Sequence, residues 1–520
     1  LPATLFGRRA AYGLAVASGL LYVLGLPGVN VWPAAFVAYV PLLLSLRGRS
    51  PRDAAKLGLA SGFVASVGGF YWLYGMMKLF SGMPGPVCAA LMLATCAYQG
   101  GRTAVVAWLT ARAAARGWPA AIAFVLGSIT AELVYPLLFP WYFAFMMHRT
   151  PILMQAADLG GVYLVGALLL GPNLAFAEIL RARRERALAV TTGGTPVPLG
   201  RVLVALGLAA PALAMTYGAL RMRQVEAIAA AGQEISVGIA QGNLPLFDRK
   251  DGARIHSRLT GDLVAKGADL VVWSEGALGT PLEEHKLSNP KYGRVTEDLN
   301  VPVIFGANTL RKVGRHTREL NSAYLADFDG KIVGRYDKHY LLPFGEFLPF
   351  GETFPSLHRW SPNSGHMIAG ESVAPLVIDR HPITVLICYE DILPWFVNRA
   401  VNEGRPELLV NITIDTWFGD TIEPVEHLAL AGLRAVEHRR YLVRATNSGL
   451  SAIVDPVGRV TLQGGLFDEE ELLGRVRLMS PRTLYEIVGD VPWYAAAIAA
   501  VLMAFLDRRR REDGAPGTAG

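Results

Sequence analysis

The stretch Thr384-Val385-Leu386-Ile387-Cys388-Tyr389-Glu390 places three apolar residues in a row and then a thiol and a carboxylate. A strand with no polar face must be covered on both sides, so residues 383–388 read as an interior strand of a layered domain. Two further stretches place a charged residue in a similar setting, at or just past the C-terminal end of a buried-looking strand: Val271-Val272-Trp273-Ser274-Glu275 and Gly334-Arg335-Tyr336-Asp337-Lys338. Around them, residues 235–241, 270–274, 303–307, 322–327, 332–336 and 408–414 also read as strands, with Asp329-Gly330 as a hairpin turn. Residues 423–440 read as an amphipathic helix, and 441–446 with 451–454 as a strand pair about Asn447-Ser448-Gly449. This alternation specifies an α/β domain. Ligands bind such sheets at the C-terminal strand edge, where Glu275, Lys338 and Cys388 all fall.

A thiol attacks a carbonyl carbon as thiolate, so Cys388 needs a base or a positive charge beside it. Glu275, partly buried at a strand end, would have a raised pKa and act as a base near neutral pH. Lys338, with the backbone N–H after Cys388, would steady the thiolate and the oxyanion. Each residue alone has an ordinary explanation: a small buried hydrophobe, a strand-end carboxylate, a solvated turn lysine. Their shared setting carries the argument. The ten His residues show neither HExxH nor a Cys/His ligand spacing, so no metal is expected, and the G-x-S-x-G elbow of serine hydrolases is absent. Cys88, Cys96 and Cys388 are too few for a disulfide framework, and the first two fall in an apolar segment.

Working outward, the 520 residues are 52% hydrophobic and 18% charged, too apolar for a soluble enzyme alone. Roughly 20 apolar residues cross a bilayer. Seven such windows precede residue 220, at 10–26, 31–46, 54–77, 86–109, 119–145, 152–180 and 202–220; an eighth spans 491–506. Basic residues mark alternate loops: Arg8 and Arg9; Arg47, Arg49, Arg52 and Lys56; Arg112 and Arg116; Arg181, Arg183, Arg184 and Arg186; and finally Arg508 to Arg511. By the positive-inside rule these loops are cytoplasmic, which leaves residues 221–488 outside. The net charge of +6 thus reads as topology and not as a nucleic-acid surface. Arg8-Arg9 reads as a cytoplasmic flank, no cleavage site ends the first window, and the Gly/Ala/Pro tail after Asp513 is expected to be disordered. Three parts follow: a seven-helix bundle at 1–220, an extracytoplasmic domain at 221–488, and an eighth helix with a basic tail at 489–520. Polar residues inside the spans, Glu132 above all, are suspects for function or for pairing with a bundle partner such as Arg102.

The segment from Tyr336 through Lys338 and Pro343-Phe344-Gly345-Glu346 to Pro349, together with Ile387-Cys388-Tyr389-Glu390 and Asp415-Thr416-Trp417-Phe418-Gly419-Asp420, resembles the nitrilase superfamily and, more narrowly, the apolipoprotein N-acyltransferase family. Gln241-Gly242-Asn243 and Asn447-Ser448-Gly449 support the resemblance, which covers nearly the whole chain. It implies an αββα nitrilase-like sandwich on an eight-helix integral membrane bundle in the bacterial inner membrane, with the catalytic domain on the periplasmic side. It implies Glu275 as general base, Lys338 as stabiliser, Cys388 as acylated nucleophile and Glu346 as an assistant to Lys338. Tyr389 and Glu390 shape the pocket, and Trp417 and Phe418 are candidates either for lipid contact or for ordinary core packing. The implied reaction is ping-pong: a phospholipid gives its sn-1 acyl chain to Cys388 as a thioester, and the α-amine of a diacylglyceryl-cysteine lipoprotein then takes it, with no cofactor and in a monomer. Three positions depart from the family pattern: Gly276 after the base, Ile414 where Asn is usual, and Lys250 near a position often held by Trp. They bear on substrate preference and gating.

Two other classes fit parts of the same pattern. A membrane-tethered amidase would use the triad with water as acceptor, and a non-catalytic lipid- or partner-binding protein would keep Cys388 as a structural residue.

Overall fold

The computed structural model describes residues 4–192, 198–289, 293–295, 299–359 and 364–508. The expectations for Arg509 to Arg511 and for the tail after Asp513 lie outside these residues. The first 230 residues form α1 (Arg8–Gly25), α2 (Val40–Leu46), α3 (Pro51–Phe70), α4 (Leu73–Ser81), α5 (Gly85–Ala115), α6 (Ala120–Val134), α7 (Pro151–Met154), α8 (Ala157–Thr192) and α9 (Arg201–Ala230). Local signals start α3: Ser50 Oγ accepts from the Asp53 N–H at 3.2 Å and Pro51 occupies the first turn. α3 then packs closely on α5, because a Cβ at Gly62 would sit 2.3 Å from the Gly100 carbonyl oxygen.

By length and apolarity two helices can cross a membrane, Ala157–Val190 and Arg201–Ala230, and the pair α3–α4, bent by 62°, makes three if counted as one span. Several apolar windows are broken in backbone terms. Residues 31–46 form a 3-10 turn, Trp32–Phe36, and then the short α2, each with a proline in its first turn. The window at 119–145 stays helical only to Val134, since Pro136 and Pro140 follow. Its remainder runs non-helical to a second 3-10 turn, Phe143–Met147, and bundle side chains serve the freed backbone groups. Gln99 Nε2 donates to the Phe139 carbonyl at 3.1 Å, Arg102 Nη1 to that of Trp141 at 2.7 Å, and Glu132 Oε1 accepts from the Phe143 N–H at 2.8 Å. Glu132 and Arg102 thus hold one irregular segment in place.

Beyond α9 come β1 (Gln233–Gln241), α10 (Gly252–Ala265), β2 (Leu270–Trp273), β3 (Leu282–Glu283), β4 (Val303–Val313), β5 (His316–Ala326) and β6 (Ile332–Asp337). They are followed by β7 (Leu376–Ile378), β8 (His381–Ile387), α11 (Pro394–Gly404), β9 (Leu408–Thr413), α12 (Glu423–His438), β10 (Leu442–Thr446), β11 (Ala452–Val454), β12 (Val460–Gln463) and β13 (Glu470–Leu478). One sheet runs β13-β1-β2-β4-β5-β6 with β3 beside β4; the other runs β12-β11-β10-β9-β8-β7. Alternation on β9 shows why they stack: Leu408, Val410 and Ile412 meet Val237, Ile239 and Val272 between the sheets, while Leu409 faces the helices. α10 covers the first sheet, and α11 and α12 cover the second. The result is the expected α-β-β-α sandwich.

α12 has the expected apolar and polar sides, but both are covered: fifteen of its sixteen residues are buried. Its apolar side lies on the second sheet and its polar side on the bundle. At Gly160 and Gly161 α8 loses helical geometry, and the Glu437 carboxylate accepts from the Val162 N–H at 2.9 Å beside that break. Asp158 takes Arg439 at 2.9 Å, Arg221 at 2.6 Å and the Tyr217 hydroxyl at 2.7 Å, locking sandwich and bundle together. The chain closes with α13 (Leu484–Val488) and α14 (Val491–Phe505).

Candidate active site

β2, β6 and β8 end on one side of the sandwich and deliver Glu275, Lys338 and Cys388 to a shared cavity of about 350 Å³. Cys388 follows β8 with φ +52°, a left-handed conformation that costs a side-chain-bearing residue roughly 1–2 kcal/mol. The turn is held from both sides. Asn411 Nδ2 donates to the Cys388 carbonyl at 3.3 Å, and the Glu390 carboxylate accepts from the Ile387 N–H at 2.8 Å. Glu390 also accepts from the His339 N–H at 2.6 Å, the Tyr340 N–H at 3.1 Å and the Tyr336 hydroxyl at 2.8 Å. It therefore ties the lysine segment of one sheet to the cysteine strand of the other. Burial pushes its carboxyl up to about 7 against the pull of these donors.

Lys338 is 1% exposed and lies 2.9 Å from Glu346 and 3.6 Å from Glu275. Burial alone would lower its pKa, but the Glu346 and Glu275 charges raise it, so the ammonium stays charged. Glu275 is held above the usual carboxylate range, by burial first; Lys338 opposes and Glu346 adds to the shift. Its Oε2 has no hydrogen-bond partner among the described residues. The Cys388 thiol is also pushed up, by burial and then by the Glu275 charge, with Lys338 opposing. Burial thus outweighs the lysine, which leaves the thiol dependent on a neighbouring base such as Glu275, as the sequence reading expects.

The sequence reading missed Asn321 on β5. Its Nδ2 donates to Glu275 at 2.6 Å and to Glu346 at 2.7 Å, orienting both carboxylates. Glu346 is further held by the Leu342 N–H at 2.7 Å. Only the pairing of β5 with β6, opposite Lys338, could have pointed to Asn321. Arg249 was missed as well; it lines the cavity and donates to the Glu275 carbonyl at 3.3 Å.

Trp417 forms an aromatic wall of the cavity, stacked on Phe80 of α4 at 4.3 Å and edge-on to Phe247 at 6.0 Å. Phe418 lines this cavity and also a narrower apolar slot of about 40 Å³ that continues from Cys388 toward the bundle between Trp72, Phe139, Trp141 and Tyr389. The Tyr389 hydroxyl donates to the Leu138 carbonyl of the irregular bundle segment at 3.1 Å. The three departures acquire positions. Gly276 has φ +60°, and a Cβ there would sit 2.6 Å from Arg249 Nη1; Ile414 is an apolar wall of the cavity; Lys250 lies in solvent while Phe247 provides the ring. Glu423 and His427 line this slot, and together with Asp415 they have metal-compatible spacing.

This sandwich and its strand-end site define the nitrilase-like class, and residues 236–481 match the family model described as carbon-nitrogen hydrolase. A solved amidase of the nitrilase superfamily from Nesterenkonia AN1 is 18% identical, covering 52% of this chain and 98% of its own, with a TM-score of 0.37. Residues 18–175 match the apolipoprotein N-acyltransferase N-terminal domain. Proteins named apolipoprotein N-acyltransferase from Geobacter metallireducens and Pseudomonas putida are 33% and 30% identical over 96% and 95% of both chains. The chain belongs to the apolipoprotein N-acyltransferase family.

Proposed function

We propose that this chain moves the sn-1 acyl chain of a phospholipid, through a Cys388 thioester, to the α-amine of a diacylglyceryl-cysteine lipoprotein. The observation that carries this reading is the convergence of Glu275, Lys338 and Cys388 on one cavity with a wall, Phe80, contributed by the bundle. Lipid-anchored substrates cannot diffuse to a detached site, and the names of the relatives agree with such acceptors.

The Glu275 carboxylate takes the thiol proton as Cys388 Sγ attacks the ester carbonyl. The oxyanion is met by the Lys338 ammonium and the Tyr389 N–H. Collapse expels the lysophospholipid oxygen, which takes the proton from Glu275 and leaves the thioester. The lipoprotein amine then attacks that carbonyl and loses a proton to Glu275, and the departing Cys388 sulfur regains it. Glu346 and Asn321 position Lys338 and Glu275; Glu390 and Tyr389 hold the nucleophile turn. Trp417 and Phe418 contact lipid and keep water from the thioester.

The proposal includes eight membrane crossings, seven within 1–220 and one within 489–520, with domain 221–488 on the periplasmic side of the inner membrane, in a monomer. The alternation of basic loops supports this topology.

Incubation with phospholipid alone, followed by intact-protein mass spectrometry, should add one acyl group to the wild type and none to Cys388→Ala. An unmodified wild type overturns the reading. Fatty acid release at the same rate with and without acceptor amine would mark a hydrolase instead.

A further inference from the structure

Beside the inner slot, which Glu423 and His427 line, side chains from three elements face one another. Asp415 comes from the 3-10 turn after β9, Glu423 and His427 from consecutive turns of α12, and Asp391 from the turn after Cys388. Donor atoms of Asp415, Glu423 and His427 all lie within 4.8 Å of one another. His427 Nδ1 is 3.3 Å from Asp415 Oδ1 and 3.7 Å from Glu423 Oε1. Ligand atoms about 2.1 Å from a tetrahedral ion lie about 3.4 Å apart, so these distances suit a common ion.

The surroundings are arranged as around a metal. His427 Nε2 is 2.9 Å from Asp391 Oδ1, the carboxylate-histidine contact that leaves the other ring nitrogen free to ligate. Arg444 fixes Asp415 through both oxygens, at 3.0 and 2.9 Å, and Asp391 at 3.0 Å. His427 Nδ1 and Glu423 Oε2 have no hydrogen-bond partner among the described residues, although these residues are only 6% and 8% exposed. Glu426 Oε1, likewise unpartnered, lines the same slot. Asp391, Asp415 and Glu423 face the Arg444 guanidinium and the His427 ring, so a divalent cation would bind there in exchange for a proton.

We propose that Asp415, Glu423 and His427 bind a zinc-class divalent cation, with the fourth position turned toward the slot, where Glu426 or a water completes the shell. A mixed imidazole and carboxylate set suits zinc better than magnesium or calcium. The ion clamps the turn bearing Trp417 and Phe418 to the start of α12, and so fixes the slot wall beside Cys388. A proton on Nδ1 is the rival occupant, held between the same carboxylates.

The test uses the full chain in detergent, carrying Cys388→Ser so that no thiolate competes, stripped with chelator and titrated with zinc and with cobalt. One equivalent is expected to bind, with the visible bands of four-coordinate cobalt and a higher unfolding midpoint. Glu423→Gln and His427→Gln should each weaken binding by on the order of 100-fold, and Asp391→Asn by about 10-fold. No saturable binding by the stripped chain, or equal binding in Glu423→Gln and His427→Gln, overturns the proposal. The readout is metal and not acyl transfer, so its failure is separate from any failure of the acyltransferase reading.

Discussion

In the proposed reaction Cys388 depends on residues far away in sequence, and what each contributes can be separated. Asn321 donates to Glu275 and favours its charged form, a minor cause beside burial and Lys338. In Asn321→Ala the Glu275 pKa should rise further, moving the acid limb of kcat/KM to higher pH and slowing acylation by about 10-fold. A pH profile of acyl-enzyme formation checks this; an unmoved limb would place Asn321 outside the proton path. Glu275→Gln should lower that rate by roughly 100- to 10,000-fold. It should also raise the unfolding midpoint, most of all at alkaline pH. The sign follows from the upward shift: a carboxyl whose folded pKa exceeds its unfolded value loses stability as pH rises through the folded pKa, and Gln has no proton to lose. Thermal unfolding across pH measures it. The gathering of Glu275, Lys338 and Cys388 on one cavity was legible in the sequence because each stands at or just past a strand end. Asn321 was not, since a polar residue within a strand acquires meaning only through what pairs beside it.

Among the elements, hydropathy located the apolar windows but not their breaks. It sums side chains, whereas Pro136, Pro140 and the Gly160-Gly161 pair act on the backbone. The strands were easier to read, because β-branched runs bounded by turn residues leave few alternatives. The Asp391, Asp415, Glu423 and His427 cluster left one trace, the i, i+4 spacing of Glu423 and His427, with the remaining groups on separate turns. The contact of α3 with α5 is testable at this scale. Gly62→Val would drive a side chain into the Gly100 carbonyl and should cost about 1–3 kcal/mol, read as a lower unfolding midpoint in detergent. An unchanged midpoint would mean that the helix pair can separate freely.

At the scale of the whole molecule, Asp158 is where bundle and sandwich depend on each other. Asp158→Ala would leave Arg439 buried without its carboxylate and should destabilise by about 3–5 kcal/mol, measured by chemical denaturation. Loss of docking should also open the junction after Ala230 to protease, a cleavage absent from the wild type. α12 gives this dependence a wider meaning. A helix buried on nearly all sides belongs to neither layer alone, so in this chain the α-β-β-α unit relies on the bundle to cover α12. It also implies an order of assembly: the bundle is synthesised first and forms the floor on which the later strands and α12 finish folding, and α14 arrives last. In this architecture the helical bundle is a template for the sandwich as well as its support.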